Sequence, residues 1–265
     1  SEEIVKAIPA SSKKDEILFE ENSLTIHKDT PVFDGQLSNR CYTDAVKNAF
    51  INFKENAIKR GRYNEDTDDI ITEQWSRIVV HLPYAFQGKR MFPDVFMLDR
   101  KETHTGASII KQIGEDPSAD ETKMAGFSDS EQEKIKNGYR RLISKTEEYQ
   151  KFTADKIEKT QKASGFVGNQ YTASIFLALM STLEIDLNDD NKLEGKKIGF
   201  CAYGSGAKSK VFQGIVQKDW AEITKRFNLF SRLENRTAIN ATTYEALHRG
   251  YQLESVVKPS GEFVI

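Results

Sequence analysis

Apolar side chains recur at helical spacing between Thr43 and Lys59, where Val46, Ala49, Phe50, Phe53, Ala57 and Ile58 share a face. Gly61 supplies the stop signal. Arg77 to His81 is a short, β-branched apolar run, which predicts a buried strand that Pro83 keeps from continuing. Ser128 to Lys162 is polar and predicts one helix or two, opened by a capping box of Ser128 with Glu131. Gly165 to Gly168 breaks that pattern. An apolar helix then starts near Asn169, with Ile175, Phe176, Leu177, Leu179 and Met180 expected in the core. Lys196 to Tyr203 predicts a second buried strand, Tyr203 to Gly206 its turn, and Val211 to Val216 an antiparallel return. Ala221 to Leu233 and Tyr244 to Tyr251 predict further helices. Residues 1–31 are weakly patterned, with a loop at Ser11 to Asp15 and a short strand at Ile17 to Phe19. Residues 92–127 are long and polar and suggest no element. Strands interleaved with long helices give an α/β or α+β class.

The bulk numbers narrow the function. At 265 residues the chain can bury a sizeable core, as one large domain or two small ones. Its net charge of -2, with both signs interspersed, argues against a general nucleic-acid or membrane-surface role. A local basic groove for a phosphate-bearing ligand is still compatible with it. The longest apolar run, Ile175 to Met180, is too short to span a bilayer. No charged-then-apolar leader opens the chain, so no secretion signal is expected. Cys41 and Cys201 make no disulfide framework, which fits a reducing cytoplasm. The chain opens on Ser1 without Met, as a processed protein or a piece of a longer one would. Asp66 to Asp69 reads as a solvated acidic loop, because no converging ligands flank it. No metal site is expected.

Three separated segments carry candidate chemistry: Val80-His81-Leu82-Pro83-Tyr84, Gly168-Asn169-Gln170-Tyr171-Thr172 with Ser174, and Tyr203-Gly204-Ser205-Gly206. Each sits where a strand ends or a helix begins, and α/β proteins place polar groups there on a rigid frame. His81 has two readings. It is a core histidine with satisfied hydrogen bonds, or a neutral imidazole at a strand tip that donates to a substrate carbonyl or exchanges a proton near neutral pH. Tyr84 and Phe86 can wall a pocket around it. Asn169 is a helix N-cap, an oxyanion donor reinforced by the helix N-terminus, or both. Thr172 and Ser174 are expected to serve local backbone groups. The glycines around Ser205 allow close backbone approach to a ligand, yet they form neither a nucleophile elbow nor a phosphate loop. Cys201 lies inside an apolar strand and reads as an inert core thiol, and Cys41, after Arg40, as a weak candidate for reactivity. His27, His104 and His248 read as surface. Lys89 and Arg90 are a solvated loop pair or a phosphate contact beside the His81 turn. No nucleophile or carboxylate base stands out among these segments.

Taken in order, the segments resemble the C-terminal part of the hydroxymethylglutaryl-CoA synthase family of thiolase-fold condensing enzymes. Phe33-Asp34-Gly35-Gln36-Leu37-Ser38, followed by Tyr42, is similar to that family's D-G-x-L-S segment. The His81 segment is similar to H-x-P-[FY], and Phe166 to Ser174 to V-G-N-x-Y-T-x-S. Ile198 to Gly206 is similar to the strand and loop ending in S-Y-G-S-G, and Asn235-Arg236-Thr237 with Tyr244 to the domain's end. The likeness spans about residues 31–250. It implies an α/β half of a thiolase-like layered fold, a mixed sheet packed by helices, over residues 31–265. Residues 1–30 would be a lead-in from an absent upstream half, and 92–127 a polar insert.

The resemblance also implies a reaction. Acetyl-CoA acylates a Cys, acetoacetyl-CoA receives the acetyl carbanion, and hydrolysis releases hydroxymethylglutaryl-CoA and CoA, without metal or redox cofactor. The family's Cys and Glu base belong to the other half, so this chain alone would be inactive. His81 and Asn169 match the catalytic His and Asn. Tyr84, Gly204, Ser205, Lys89, Arg90 and Tyr171 are the implied substrate-binding residues. Phe86 stands where the family commonly has Lys, and Ala202 where Ser is common. A cytoplasmic homodimer of the mevalonate route follows from the same likeness. Two rivals are a β-branching enzyme acting on carrier-bound acetoacetate and a non-catalytic partner subunit.

Overall fold

The two apolar runs around residues 78 and 199 lie side by side, although more than a hundred residues separate them. The structure is a computed structural model that describes residues 14–17, 24–27, 35–63, 70–204, 207–251 and 253, with side chains from residue 35 onward. The chain divides into two units, Ser1–Phe227 and Asn228–Ile265.

In the first unit, β1 (Lys14–Ile17) pairs antiparallel with β2 (Leu24–His27). The strand therefore runs through part of the predicted loop at Ser11 to Asp15, because a cross-strand partner, not local composition, selects it. Helix α1 (Gly35–Lys59) buries Tyr42, Val46, Phe50 and Ala57. It starts eight residues before Thr43, since its first turns carry polar side chains that periodicity cannot detect. One of these, Asn39, accepts a hydrogen bond from Gln87 at 3.2 Å. Helix α2 (Ile71–Gln74) runs into β3 (Trp75–Val80), and α3 (Gln87–Met91) follows the His81 turn.

The stretch 92–127 forms α4 (Pro93–Arg100), α5 (His104–Ile113) and α6 (Glu121–Met124). Phe92, Val95, Phe96, Ile109 and Met124 are buried there. So are the charged Asp99 and Arg100, each satisfied: Asp99 accepts the Thr72 N–H at 2.8 Å, and Arg100 donates to the Thr72 hydroxyl at 2.9 Å.

Three helices then occupy the span read as one or two: α7 (Asp129–Ile143), α8 (Glu147–Lys156) and α9 (Glu158–Gln161). The Ser128–Glu131 capping box forms with both bonds. Thr146 caps α8 separately by accepting the Tyr149 N–H at 3.3 Å, which makes the break. Helix α10 (Ser164–Val167) ends at Gly168, a 3-10 turn spans Tyr171–Ala173, and α11 runs Ser174–Asn188. The apolar helix thus starts five residues after Asn169. Gly168 at φ 85° and Tyr171 at φ 48° are left-handed, and an α-helix cannot pass through them. Of its expected core residues, Ile175 is buried, whereas Phe176 is 64% exposed. Consecutive residues on a helix spread over several faces, so a continuous apolar run cannot all point inward.

Strand β4 (Lys197–Gly204) pairs parallel with β3 and antiparallel with β5 (Lys208–Ile215), giving a mixed sheet in the order β3-β4-β5. Helix α1 packs on β4 and β5, and α8, α9 and α11 on β3. Arg77 of β3 ties the sheet to α11 by donating to Asp186 from Nε at 2.8 Å and from Nη2 at 2.6 Å. Helix α12 (Trp220–Thr224) closes the unit. The second unit holds α13 (Leu229–Glu234) and α14 (Ala241–His248). The helix predicted over Ala221 to Leu233 is therefore two, interrupted where Asn228 takes the left-handed φ of 47°. Among the described residues, no helix is long and apolar enough to cross a membrane.

Candidate active site

His81 is the first residue past β3, and three elements hold it. Its N–H donates to the Cys201 carbonyl at 2.9 Å, which extends the β3–β4 pairing beyond the strand. Its carbonyl accepts the Tyr42 hydroxyl of α1 at 2.9 Å. Its Nδ1 lies 2.8 Å from the Oγ of Ser174 on α11, and that same Oγ accepts the Leu82 N–H at 3.0 Å. Tyr42 and Tyr203 flank the imidazole with ring centroids at 6.2 and 5.7 Å, and their own rings meet edge-on at 4.9 Å.

His81 is 6% exposed. Burial pushes its pKa below the ordinary 6.5, so the ring is neutral at neutral pH. Its Nε2 bonds to no described residue, and it is not among the solvent-sealed unpaired polar atoms. The ring is thus fixed on one edge and open on the other, which suits a hydrogen-bond donor or acid–base group.

Asn169 is exposed, and its Oδ1 accepts the Tyr171 N–H at 2.7 Å. It closes the 3-10 turn and does not cap the apolar helix, whose N-cap position is Ala173. The side-chain amide N–H groups of Asn169 have no partner among the described residues. Tyr171 beside it is 69% exposed. The 3-10 turn touches β4, the strand that carries Tyr203 and Gly204 of the third segment. Ser174 departs from its expected local role, because its hydroxyl reaches across to the His81 segment. Gly204 ends β4, paired with Lys208. Ser205 and Gly206 lie outside the described residues, as do the acidic loop at 66–69, residues 33–34 and the side chain of His27. His104 and His248 are exposed.

The basic pair separates. Lys89 ion-pairs with Glu158 at 3.3 Å and sits over the Phe86 ring at 5.4 Å. It lines a cleft of about 560 Å³ with Ala85, Phe86, Gln161, Lys162 and Phe166. Arg90 is exposed and does not line the cleft. Tyr84 is 41% exposed at the turn and is not part of that wall. Cys201 is fully buried, and its thiol is pushed up to about 12, as a core thiol should be. Burial also raises Cys41, against a smaller opposing pull from Arg40. Sequence reasoning missed the parts played by Tyr42 and Ser174. Tyr42 stands four residues before Val46 on the apolar face of α1, a spacing that was legible. Ser174 is marked as part of its segment, but nothing local shows that its hydroxyl reaches His81.

Known proteins resemble this chain. A hydroxymethylglutaryl-CoA synthase of Haloferax volcanii is 25% identical over 240 residues, covering 88% of this chain and 51% of its own length. One from Schizosaccharomyces pombe is 27% identical over 215 residues, covering 81% and 44%. The chain therefore spans about half the length of these relatives. The solved structure of MvaS in complex with 3-hydroxy-3-methylglutaryl coenzyme A matches with a TM-score of 0.62 at 21% identity, over 95% of this chain and 54% of that one. The HMG synthase of the curacin biosynthetic pathway, in complex with acetyl donor-ACP, gives 0.56 at 18% identity over 89% and 44%. These likenesses show the fold, an α/β half of a thiolase-like layered architecture. The family model described as hydroxymethylglutaryl-coenzyme A synthase C terminal matches residues 23–256, nearly the whole chain, and to that family this protein belongs.

Proposed function

We propose that this chain is the C-terminal half of a hydroxymethylglutaryl-CoA synthase and supplies the donor side of its active site. The observation that carries the reading is the buried, neutral His81 with an unpaired Nε2, held at the meeting point of β3, β4 and α11. In the proposed reaction the absent half contributes a Cys, which takes the acetyl group from acetyl-CoA and releases CoA. A Glu of that half removes a proton from the bound acetyl methyl. The carbanion adds to the ketone of acetoacetyl-CoA, and water cleaves the enzyme thioester to free hydroxymethylglutaryl-CoA. His81 polarises the acetoacetyl group through Nε2, and the Asn169 amide stands by the developing oxyanion. Such groups act by being fixed where charge accumulates. Gly204 and Ser205 would line the thioester, and Tyr84 and Tyr171 the acyl pocket. Lys89, at the cleft, fits the CoA phosphates better than Arg90 does. Coenzyme A thioesters are substrates here, with no separate cofactor. A cytoplasmic location is part of this reading, supported by a rat relative named as the cytoplasmic enzyme, and a homodimer is part of it on the family resemblance alone.

The test is condensation of acetyl-CoA with acetoacetyl-CoA, assayed in the full polypeptide encoded with this chain and in the chain alone. The full polypeptide should form hydroxymethylglutaryl-CoA, and His81→Ala should lower its rate about 10²–10⁴-fold. The chain alone should form none. A full polypeptide that rejects both CoA substrates would overturn the reading, and preference for carrier-bound acetoacetate would replace it with the β-branching reaction.

A further inference from the structure

We propose that Ser174 is a positioning residue that sets the tautomer of His81: its hydroxyl donates to Nδ1, which keeps the ring proton on Nε2. Donor accounting carries the argument. The Ser174 Oγ is 2.8 Å from Nδ1 and accepts the Leu82 N–H at 3.0 Å, and the residue is 1% exposed. A hydroxyl has one proton to give and two lone pairs. Several other hydroxyls in or at the ends of helices give theirs to the carbonyl four residues back: Thr43 to Asn39 at 2.9 Å, Ser144 to Arg140 at 2.8 Å and Thr224 to Trp220 at 2.7 Å. Ser174 makes no such bond, and among the described residues Nδ1 is the one acceptor its hydroxyl meets. The reverse arrangement would fill both lone pairs with N–H donors and leave the buried O–H without an acceptor among the described residues.

The rest of the surroundings agrees. Tyr42 spends its hydroxyl proton on the His81 carbonyl, and Tyr203 meets the ring only as an aromatic neighbour. The Cys201 thiol is sealed in the core, and no carboxylate hydrogen-bonds the ring among the described residues. A carboxylate on Nδ1 would draw the proton there and favour the charged ring. A hydroxyl donor leaves the ring neutral, with its N–H on the open edge. Ser174 also ties Leu82 to α11, so one side chain fixes both the turn that carries His81 and the state of its ring. The catalytic consequence, an Nε2–H aimed at a substrate carbonyl, rests on the function proposed above. The tautomer itself does not.

The experiment is side-chain nitrogen NMR on the chain labelled with ¹⁵N-histidine at pH 7.5, with His81 assigned by its absence in His81→Gln. The expected wild-type pattern is protonated Nε2 and bare Nδ1. Ser174→Ala should lose that exclusive pattern, and Ser174→Thr, which keeps the hydroxyl, should retain it. Protonated Nδ1 in the wild type would overturn the proposal, whether or not either variant folds. So would an unchanged pattern in folded Ser174→Ala. In the full synthase, Ser174→Ala should lower kcat at least tenfold with little change in KM. A clean Nε2–H pattern in an enzyme that makes no product would sink the functional reading and leave this one standing.

Discussion

Gly199→Ala is the sharpest test of how the sheet holds the site. A Cβ on Gly199 would fall 2.1 Å from Cε3, 2.2 Å from Cδ2 and 2.5 Å from Cζ3 of Trp75. Real contacts of this kind essentially never come under 3.0 Å, so the indole must retreat by nearly 1 Å. It has nowhere to go. Trp75 is fully buried, packs on Phe50 and Phe53 with centroids at 6.1 and 5.7 Å, and donates from Nε1 to Gln213 at 2.8 Å. Overpacking costs about 1–3 kcal/mol, and a strained Trp75–Gln213 bond adds about 1 kcal/mol. The reduced freedom of the unfolded chain offsets about 0.5 kcal/mol. The net loss should be about 1.5–3.5 kcal/mol, which for a chain of this size lowers Tm by about 3–14 °C. Urea unfolding followed by circular dichroism reads the loss directly. In a Trp75→Leu background the same change should cost less than about 1 kcal/mol, because the smaller side chain frees the space. An equal penalty in both backgrounds, or a variant within about 0.5 kcal/mol of wild type, would refute the steric argument.

Two further outcomes follow from charge and burial. Asp186 has a fully buried side chain that accepts from Arg77, from Lys159 at 2.8 Å and from Asn191 at 2.9 Å, so Asp186→Ala takes the buried carboxylate from Arg77, leaves it only the exposed Asp155 at 3.3 Å, and should cost about 3–5 kcal/mol in denaturant unfolding. Burial pushes the Asp186 carboxyl up, but the bonds from Arg77 and Lys159 outweigh it and hold the pKa below 3.8. Its stabilisation is therefore complete above pH 3.8 and disappears as pH falls through the lower folded value, and the gap between wild type and variant should close over that acid range. For the thiols, a Cys201 pKa of about 12 leaves on the order of 10⁻⁴ thiolate at pH 8, so iodoacetamide should modify Cys41 well before Cys201 in the folded chain. Peptide mapping that finds equal rates would show that the strand opens readily.

The sequence made some of this plain and hid the rest for physical reasons. Ile78 to Val80 and Ile198 to Cys201 are continuous apolar runs, and burial on both faces is what such runs mean in a strand. The Ser128–Glu131 box is local, so it could be read locally. The breaks at residues 144–146 and at Asn228 were not legible, because no Gly or Pro marks them. The start of α1 was hidden because Asn39 and its neighbours are held by tertiary contacts instead of an apolar stripe. At the site, His81 stood out by following an apolar strand into Pro83. Ser174 did not, since a serine at a helix start normally serves its own backbone, and only the approach of the His81 turn diverts it.

The bond from the His81 N–H to the Cys201 carbonyl joins residues 120 positions apart, and this shapes how the protein comes into being. A ribosome adding about 5–20 residues per second delivers residue 201 roughly 6–24 seconds after residue 81. During that interval β3 is an apolar ribbon without its parallel neighbour, and no hairpin can stand in, because a parallel pair needs a crossover. The β4–β5 hairpin is contiguous and can close on itself at once. Strand β3 is therefore the first part of the sheet to be made and must wait for a ready-made hairpin to dock. Its exposed edge in the meantime is where a nascent chain would call on a chaperone or stray into aggregation.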